Sequence, residues 1–172
     1  MGVLDELGYE VGQANAVQRG VQRIVMMPSV SRLSQKVVYA VDRPLYRWSN
    51  GRLSATQLVA GMPVLMLTTT GAKSGEPRTM PLVGLPLGDA VAVIGSNFGT
   101  EKTPGWVYNL EAEPRATLGW REREVDVVAR PATDEEYEET FRVGSACYPG
   151  YAEYRERAAH RTIRVFVLEP AG

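Results

Sequence analysis

The sequence predicts a mainly β domain with helices (α+β), in which six strands form a closed or nearly closed barrel and helices pack around it. Three observations predict this class. Six segments carry alternating or continuous apolar patterns rich in β-branched residues. They follow one another from Val64 to Leu168 with helical insertions but without repeats, low-complexity tracts or a linker. The 172 residues suit a single domain with a sizeable core.

Two helical segments come first, over residues 1–52, ahead of a barrel domain over residues 53–172. One helix runs from about Gln13 to Met27, with Val17, Val21, Ile24 and Val25 at helical spacing, and stops at Pro28. The second starts near Ser31 and carries Leu33, Val37, Val38 and Val41; Pro44 interrupts it, and Trp48 and Gly51 close it. Strand one is Val64 to Thr70 and strand two Arg78 to Leu87. Gly88-Asp89 turns the chain into strand three, Ala90 to Ser96. Pro104 suits the start of a helix that places Trp106, Asn109 and Leu110 on neighbouring turns and ends before Pro114. Strand four, Arg115 to Trp120, and strand five, Glu124 to Arg130, form a hairpin through Arg121 and Glu122. Thr133 with Glu136 three residues later reads as a capping box for a helix toward Cys147. A helical piece follows Pro149, and the last strand is Thr162 to Leu168.

The formal net charge of -1 gives no global reason for nucleic-acid binding. One cysteine, Cys147, excludes an intrachain disulfide, and one histidine, His160, excludes a zinc site of Cys and His ligands. Cys147 reads as a buried small side chain and His160 as structural. No apolar run approaches the roughly 18–20 residues that span a bilayer. The start, MGVLDELGYEVG, lacks the pattern of a secretory signal, so the expected location is cytoplasmic. The segment from Gln13 to Arg52 nevertheless carries Arg19, Arg23, Arg32, Lys36, Arg43, Arg47 and Arg52 against the single acid Asp42. Such a face either packs on the domain with its charges solvated or rests on an anionic membrane surface.

Three constellations could carry chemistry. The first is LTTTGAKSGEPRTMPL, from Leu67 to Leu82. Its glycines allow a sharp turn with exposed N–H groups, and Lys73 and Arg78 flank that turn. By itself it reads equally as an anion cradle or as an ordinary hairpin with two surface cations. It is neither a Walker A loop, because Ala72 separates Gly71 from Lys73, nor a dinucleotide fingerprint. The second is SNFGTEKTPGW, from Ser96 to Trp106, where a strand end leads through small polar residues into a helix N-terminus. A plain strand-to-helix turn is the competing reading. The third places Tyr148, Tyr151 and Tyr154 three residues apart, so that all share a broad helix face. This face is either core or a lid over a flat ligand.

In this order, the three constellations resemble the deazaflavin-dependent nitroreductase family of actinobacteria and relatives. The matching strings are LTTTGAKSGEPRTMPL, IGSNFGTEKTPGWVYNLEAEP, ARPATDEE, and YPGYAEY followed by RTIRVFVLEP. The resemblance implies a six-stranded split β-barrel of the FMN-binding type. It implies coenzyme F-420, an 8-hydroxy-5-deazaflavin with a phosphate and an oligoglutamate tail, as cofactor. The implied activity is hydride transfer from the reduced cofactor to a flat electrophilic acceptor such as an enone, quinone or nitroaromatic.

Lys73 and Arg78 match the cations for the tail and phosphate, and Gly75, Pro77 and Pro81 match the backbone that shapes the groove. Ser96 matches a serine near the ring, and Pro104, Trp106 and Asn109 match the helix after the third strand. Thr70, Gly71, Ser74, Asn97 and Lys102 complete the expected cofactor-binding set. Tyr148, Tyr151 and Tyr154 match tyrosines of the substrate pocket and, with Ser96, are the expected catalytic residues. The chain departs from the pattern at Ala72 and Asn97, where basic residues are common, and at Val83, where the nitroimidazole-activating member has a tyrosine. An FMN-using split barrel, or a protein that binds deazaflavin, quinone or lipid without catalysis, are the rival readings. A small-molecule acceptor is the expected partner, and a homodimer stays open.

Overall fold

The computed structural model describes residues 2–9, 15–26, 40–41, 44–45, 48, 61–62 and 64–172. The second predicted helix, from Ser31 to Gly51, lies outside these residues save for isolated positions, as do Arg32, Lys36, Arg43, Arg47 and Arg52. The described helices are α1 (Val3–Leu7), α2 (Ala16–Met26), α3 (Gly105–Ala112), α4 (Asp134–Cys147) and α5 (Gly150–Arg157). The strands are β1 (Val64–Thr70), β2 (Pro77–Val83), β3 (Leu85–Leu87), β4 (Ala90–Ile94), β5 (Arg115–Trp120), β6 (Arg123–Pro131) and β7 (Val165–Pro170).

All seven strands join one sheet in the order β2-β1-β5-β6-β7-β4-β3, with antiparallel neighbours throughout. Strands β2 and β3 occupy opposite edges, yet only Gly84 separates them in the chain. The sheet must therefore curl until its edges meet at this residue, which makes a half-barrel of an otherwise open sheet. Here the sequence expectation needs adjusting: the single strand foreseen from Arg78 to Leu87 is two strands broken at Gly84. The reason is crowding across the seam. A Cβ on Gly84 would overlap Leu65 Cδ1 of β1 and stand 3.1 Å from Val91 Cγ1 of β4.

The pleat sorts each strand's side chains into two cores. On β4, Val91 and Val93 face the first core, whereas Ala92 and Ile94 face the second. The first core fills the barrel with Leu65, Leu67, Leu118, Val127, Phe166 and Leu168, and α3 closes it with Trp106, Val107 and Leu110. The second lies under α4 and α5, where Phe141 and three tyrosines cover Leu85, Ile94 and Val165.

Helix α1 went unforeseen because five residues carry little periodic signal. Val3 and Leu7 enter the first core, the Val3 N–H donates to Asp89 O at 2.9 Å, and Gly8 caps the helix at φ 60°. Just beyond, the Tyr9 hydroxyl donates to Gly84 O at 2.6 Å, tying the N-terminal segment to the seam. No helix among the described residues is long and apolar enough to cross a membrane.

The capping box of α4 forms as the sequence predicts. Thr133 Oγ1 accepts from the Glu136 N–H at 3.3 Å, and the Glu136 carboxylate accepts from the Thr133 N–H at 2.8 Å. Glu136 also receives both outer nitrogens of Arg130 at 2.7 Å. These Arg130 hydrogen bonds, with the Thr133 N–H, hold its pKa down from 4.5 to about 2. A depressed carboxylate stabilises the fold above its unfolded pKa and loses that contribution as pH falls toward 2. Glu136→Gln should therefore lower stability near pH 6 yet narrow the gap in thermal midpoint between pH 6 and pH 3.

Candidate functional site

The first constellation forms the β1–β2 hairpin. Thr70 pairs with Pro77, the Gly71 N–H donates to Glu76 O at 2.9 Å, and the Gly75 N–H returns to Gly71 O at 2.8 Å. Gly75 takes φ 68°, a conformation costly for other residues, and has open space where a Cβ would project. Thr70, Lys73, Ser74, Gly75 and Arg78 are exposed, while Gly71 and Pro81 are buried. Ser74 Oγ accepts from Arg78 Nη2 at 3.3 Å, so Arg78 is drawn back over the loop. Neither Lys73 nor Arg78 forms an ion pair with a carboxylate among the described residues. Two exposed cations beside one turn attract an acidic ligand.

Helix α3 is fastened to this hairpin by one side chain. Asn109 Oδ1 accepts from the Ala72 N–H at 3.0 Å, and its Nδ2 donates to Thr69 Oγ1 at 2.9 Å. Asn109, expected to touch cofactor, thus has both ends of its amide engaged in holding the loop. Its partners are 37 and 40 residues away, and no local signal reveals them. Trp106, expected at the same site, is 1 % exposed and meets Phe166 edge-on in the first core. Asn109→Ala should leave the Ala72 N–H without its acceptor and cost about 1 kcal/mol. The measurement is amide exchange, which should speed up over residues 71–76.

The second constellation is a turn of unusual hand. Ser96 is buried, and Asn97, Phe98 and Gly99 follow with φ of 47°, 59° and 71°. Asn97 Nδ2 closes the loop on Thr100 Oγ1 at 2.7 Å and Lys102 O at 2.8 Å. Lys102 is exposed, like the hairpin cations, and Pro104 caps α3. Reading the sequence as a chain of turn residues did not foresee the left-handed run.

The third constellation lies on α5 and the turn before it. Tyr148, Tyr151 and Tyr154 are buried in the second core, their ring centroids 5.9–6.2 Å apart. The Tyr148 and Tyr154 hydroxyls share a hydrogen bond of 3.0 Å. Burial raises the pKa of all three phenols, so each holds its proton at neutral pH. The constellation also meets the second: Phe98 packs against Tyr154 at 5.9 Å between centroids. Cys147 is half-buried beside this core, with its thiol pKa raised by burial, and His160 is exposed.

Residues 39–170 match the family model described as F420H(2)-dependent quinone reductase. An F420H(2)-dependent quinone reductase of Mycobacterium tuberculosis is 33% identical over 127 residues, covering 72% of this chain and 84% of that protein. A solved F420-H2 dependent reductase, FDR-A, superposes with a TM-score of 0.57 at 35% identity, over 62% of this chain and 94% of that one. A second solved chain, described as a domain-swapped dimer, gives 0.58 at 32% identity, over 74% and 94%.

Proposed function

Because this chain belongs to the F420H(2)-dependent quinone reductase family, we propose that it binds coenzyme F-420 and passes hydride from its reduced form to a flat electrophilic acceptor, a quinone foremost. The observation that carries the reading is the hairpin whose Lys73 and Arg78 meet no carboxylate among the described residues, fastened to the helix that follows the Ser96 turn. A neutral ligand would have no use for those charges, whereas a phosphate with a glutamate tail does.

When bound, reduced deazaflavin supplies a hydride, and that chemistry belongs to the cofactor. The chain's own residues bind, orient and deliver a proton. Lys73, Arg78 and Lys102 take the acidic tail, and Ser96 directs a hydrogen bond at the ring edge. Hydride arrival at the acceptor carbon places negative charge on its oxygen, and one proton must follow. The Tyr148–Tyr154 pair is suited to give it. One of the two hydroxyls donates to the other, which leaves a single O–H free for an acceptor oxygen. As that O–H gives its proton it takes one back from water through its partner hydroxyl, so no phenolate is left in the apolar core. The products are a reduced acceptor, such as a hydroquinone, and oxidised cofactor.

Fluorescence titration with oxidised coenzyme F-420, and with FMN in parallel, tests the cofactor assignment. Saturable binding of the deazaflavin supports it; tight FMN binding with none for the deazaflavin rejects it. The hydride acceptor is then sought among quinones, enones and nitroaromatics. Val83, in the position of a tyrosine in the nitroimidazole-activating relative, favours the first two classes.

A further inference from the structure

Arg161 stands apart from every group discussed above. It follows α5, with its own N–H donating to Ala158 O at 2.9 Å, and its guanidinium reaches back to the loop that leaves β4. There Nη2 donates to Ser96 O at 2.8 Å, Nη1 and Nη2 to Gly95 O at 3.3 Å, and Nε to Thr100 O at 3.2 Å. Among the described residues no carboxylate pairs with it. A guanidinium that is part-buried and satisfied by main-chain carbonyls alone is an unusual use of a charge. Stability by itself would be served equally by a neutral contact.

The loop it grips explains the use. Left-handed backbone at Asn97 is tolerable, but at Phe98 it is strained, and such a turn persists only where its surroundings over-determine it. Arg161 holds the turn at both ends, through Ser96 and Thr100. From the other side the tyrosine helix presses on it. Phe98 meets the Tyr154 ring, and a Cβ on Gly99 would come within 3.1 Å of Tyr154 Cα and 3.0 Å of Arg157 Cβ. The same arginine is thus linked to α5 through Ala158 and to the Ser96 loop through three carbonyls. A lysine, with one compact head, could not span carbonyls from Gly95 to Thr100 at once.

We infer that Arg161 is a positioning residue for hydride transfer: it fixes the Ser96 turn against the tyrosine helix and so sets the spacing between the ring-binding wall and the proton-donating wall. The inference rests on the proposed function, since the two walls acquire those roles there. Its consequence is a division of effects. Cofactor affinity rests mainly on the hairpin cations, which Arg161 does not touch, with a smaller share from Ser96 and Lys102 on the gripped loop, whereas the rate depends on the spacing it sets.

The test compares the parent protein with Arg161→Gln and Arg161→Lys. Four quantities are read: the dissociation constant for coenzyme F-420, the KM and kcat with menadione as acceptor, and amide exchange over residues 96–102. In Arg161→Gln, kcat should fall by about 100-fold, the loss expected when reacting groups are misplaced by about 1 Å. The dissociation constant should stay close to the parent value, and exchange over residues 96–102 should speed up. Arg161→Lys should recover part of kcat. An Arg161→Gln protein with parental kcat, or with kcat and cofactor affinity lost together, overturns the inference. If that variant does not fold, Arg161→Lys decides: reduced kcat at unchanged affinity supports the inference, and parental kcat overturns it. A parent that neither binds nor turns over the cofactor removes the proposed function instead. The clamp is then judged by exchange alone, which must quicken in the variants or the clamp is rejected.

Discussion

Replacing Lys73 and Arg78 together by alanine is expected to weaken binding of oxidised coenzyme F-420 by about 10–100-fold, the scale of one or two lost charge-assisted hydrogen bonds. The loss should grow with the length of the glutamate tail, because each added carboxylate is one more charge for these cations to meet. Both side chains are solvent-exposed, so salt screens them. The parent's affinity should therefore fall with ionic strength, and the double variant's should fall less. Fluorescence titration at two salt concentrations with short- and long-tailed cofactor reads all of this. A dissociation constant unchanged by the substitutions rejects the role of the hairpin. Both side chains are exposed, Lys73 on the turn and Arg78 at the start of β2, so the double variant should keep the parental thermal midpoint.

Gly84→Ala should be the most disruptive single methyl addition in the barrel. The new Cβ would collide with Leu65 Cδ1 and press on Val91 Cγ1, and both side chains are fully buried at the seam. Overpacking of this kind costs about 2 kcal/mol, which for a domain of this size lowers the thermal midpoint by about 4–8 °C. Gly20 supplies the contrast. It lies within α2, where an added Cβ meets nothing within 4 Å among the described residues. There the same substitution should stabilise the helix slightly, because alanine has the better helix propensity. Thermal unfolding of the two variants beside the parent checks the pair. Equal effects at both sites would show that the seam is not tightly packed.

The elements that the sequence makes legible are those whose causes are local. Strand β1 begins and ends where the apolar run and its three threonines do, at Val64 and Thr70. Thr133 and Glu136 lie three residues apart and form the capping box unaided by anything distant. The glycines of the hairpin similarly announce their turn. What stays hidden depends on partners far along the chain. Gly84 breaks a strand because Leu65 and Val91 close in from both edges of the sheet. Asn109 serves the hairpin because the fold brings Thr69 and Ala72 beside it. The left-handed turn from Asn97 to Gly99 is gripped by Arg161, which lies more than 60 residues away. The tyrosines show both sides at once: their spacing by threes predicts a shared face, but only the packed chain pairs Tyr148 with Tyr154. For the candidate site, the order of the motifs points to the loops proposed above, and the contacts show how α3 and Arg161 hold those loops.

Turnover decides whether the chain is a reductase or only binds the cofactor. Reduced coenzyme F-420 is mixed with the protein and menadione under anaerobic conditions, and reappearance of the oxidised cofactor's absorbance is followed against a protein-free control. Oxidation should be proportional to protein concentration and saturate in both cofactor and quinone, with one hydroquinone formed per cofactor oxidised. A rate no faster than the control, from protein that binds the cofactor and across the panel of quinones, enones and nitroaromatics, would contradict it and leave a binding protein without catalysis.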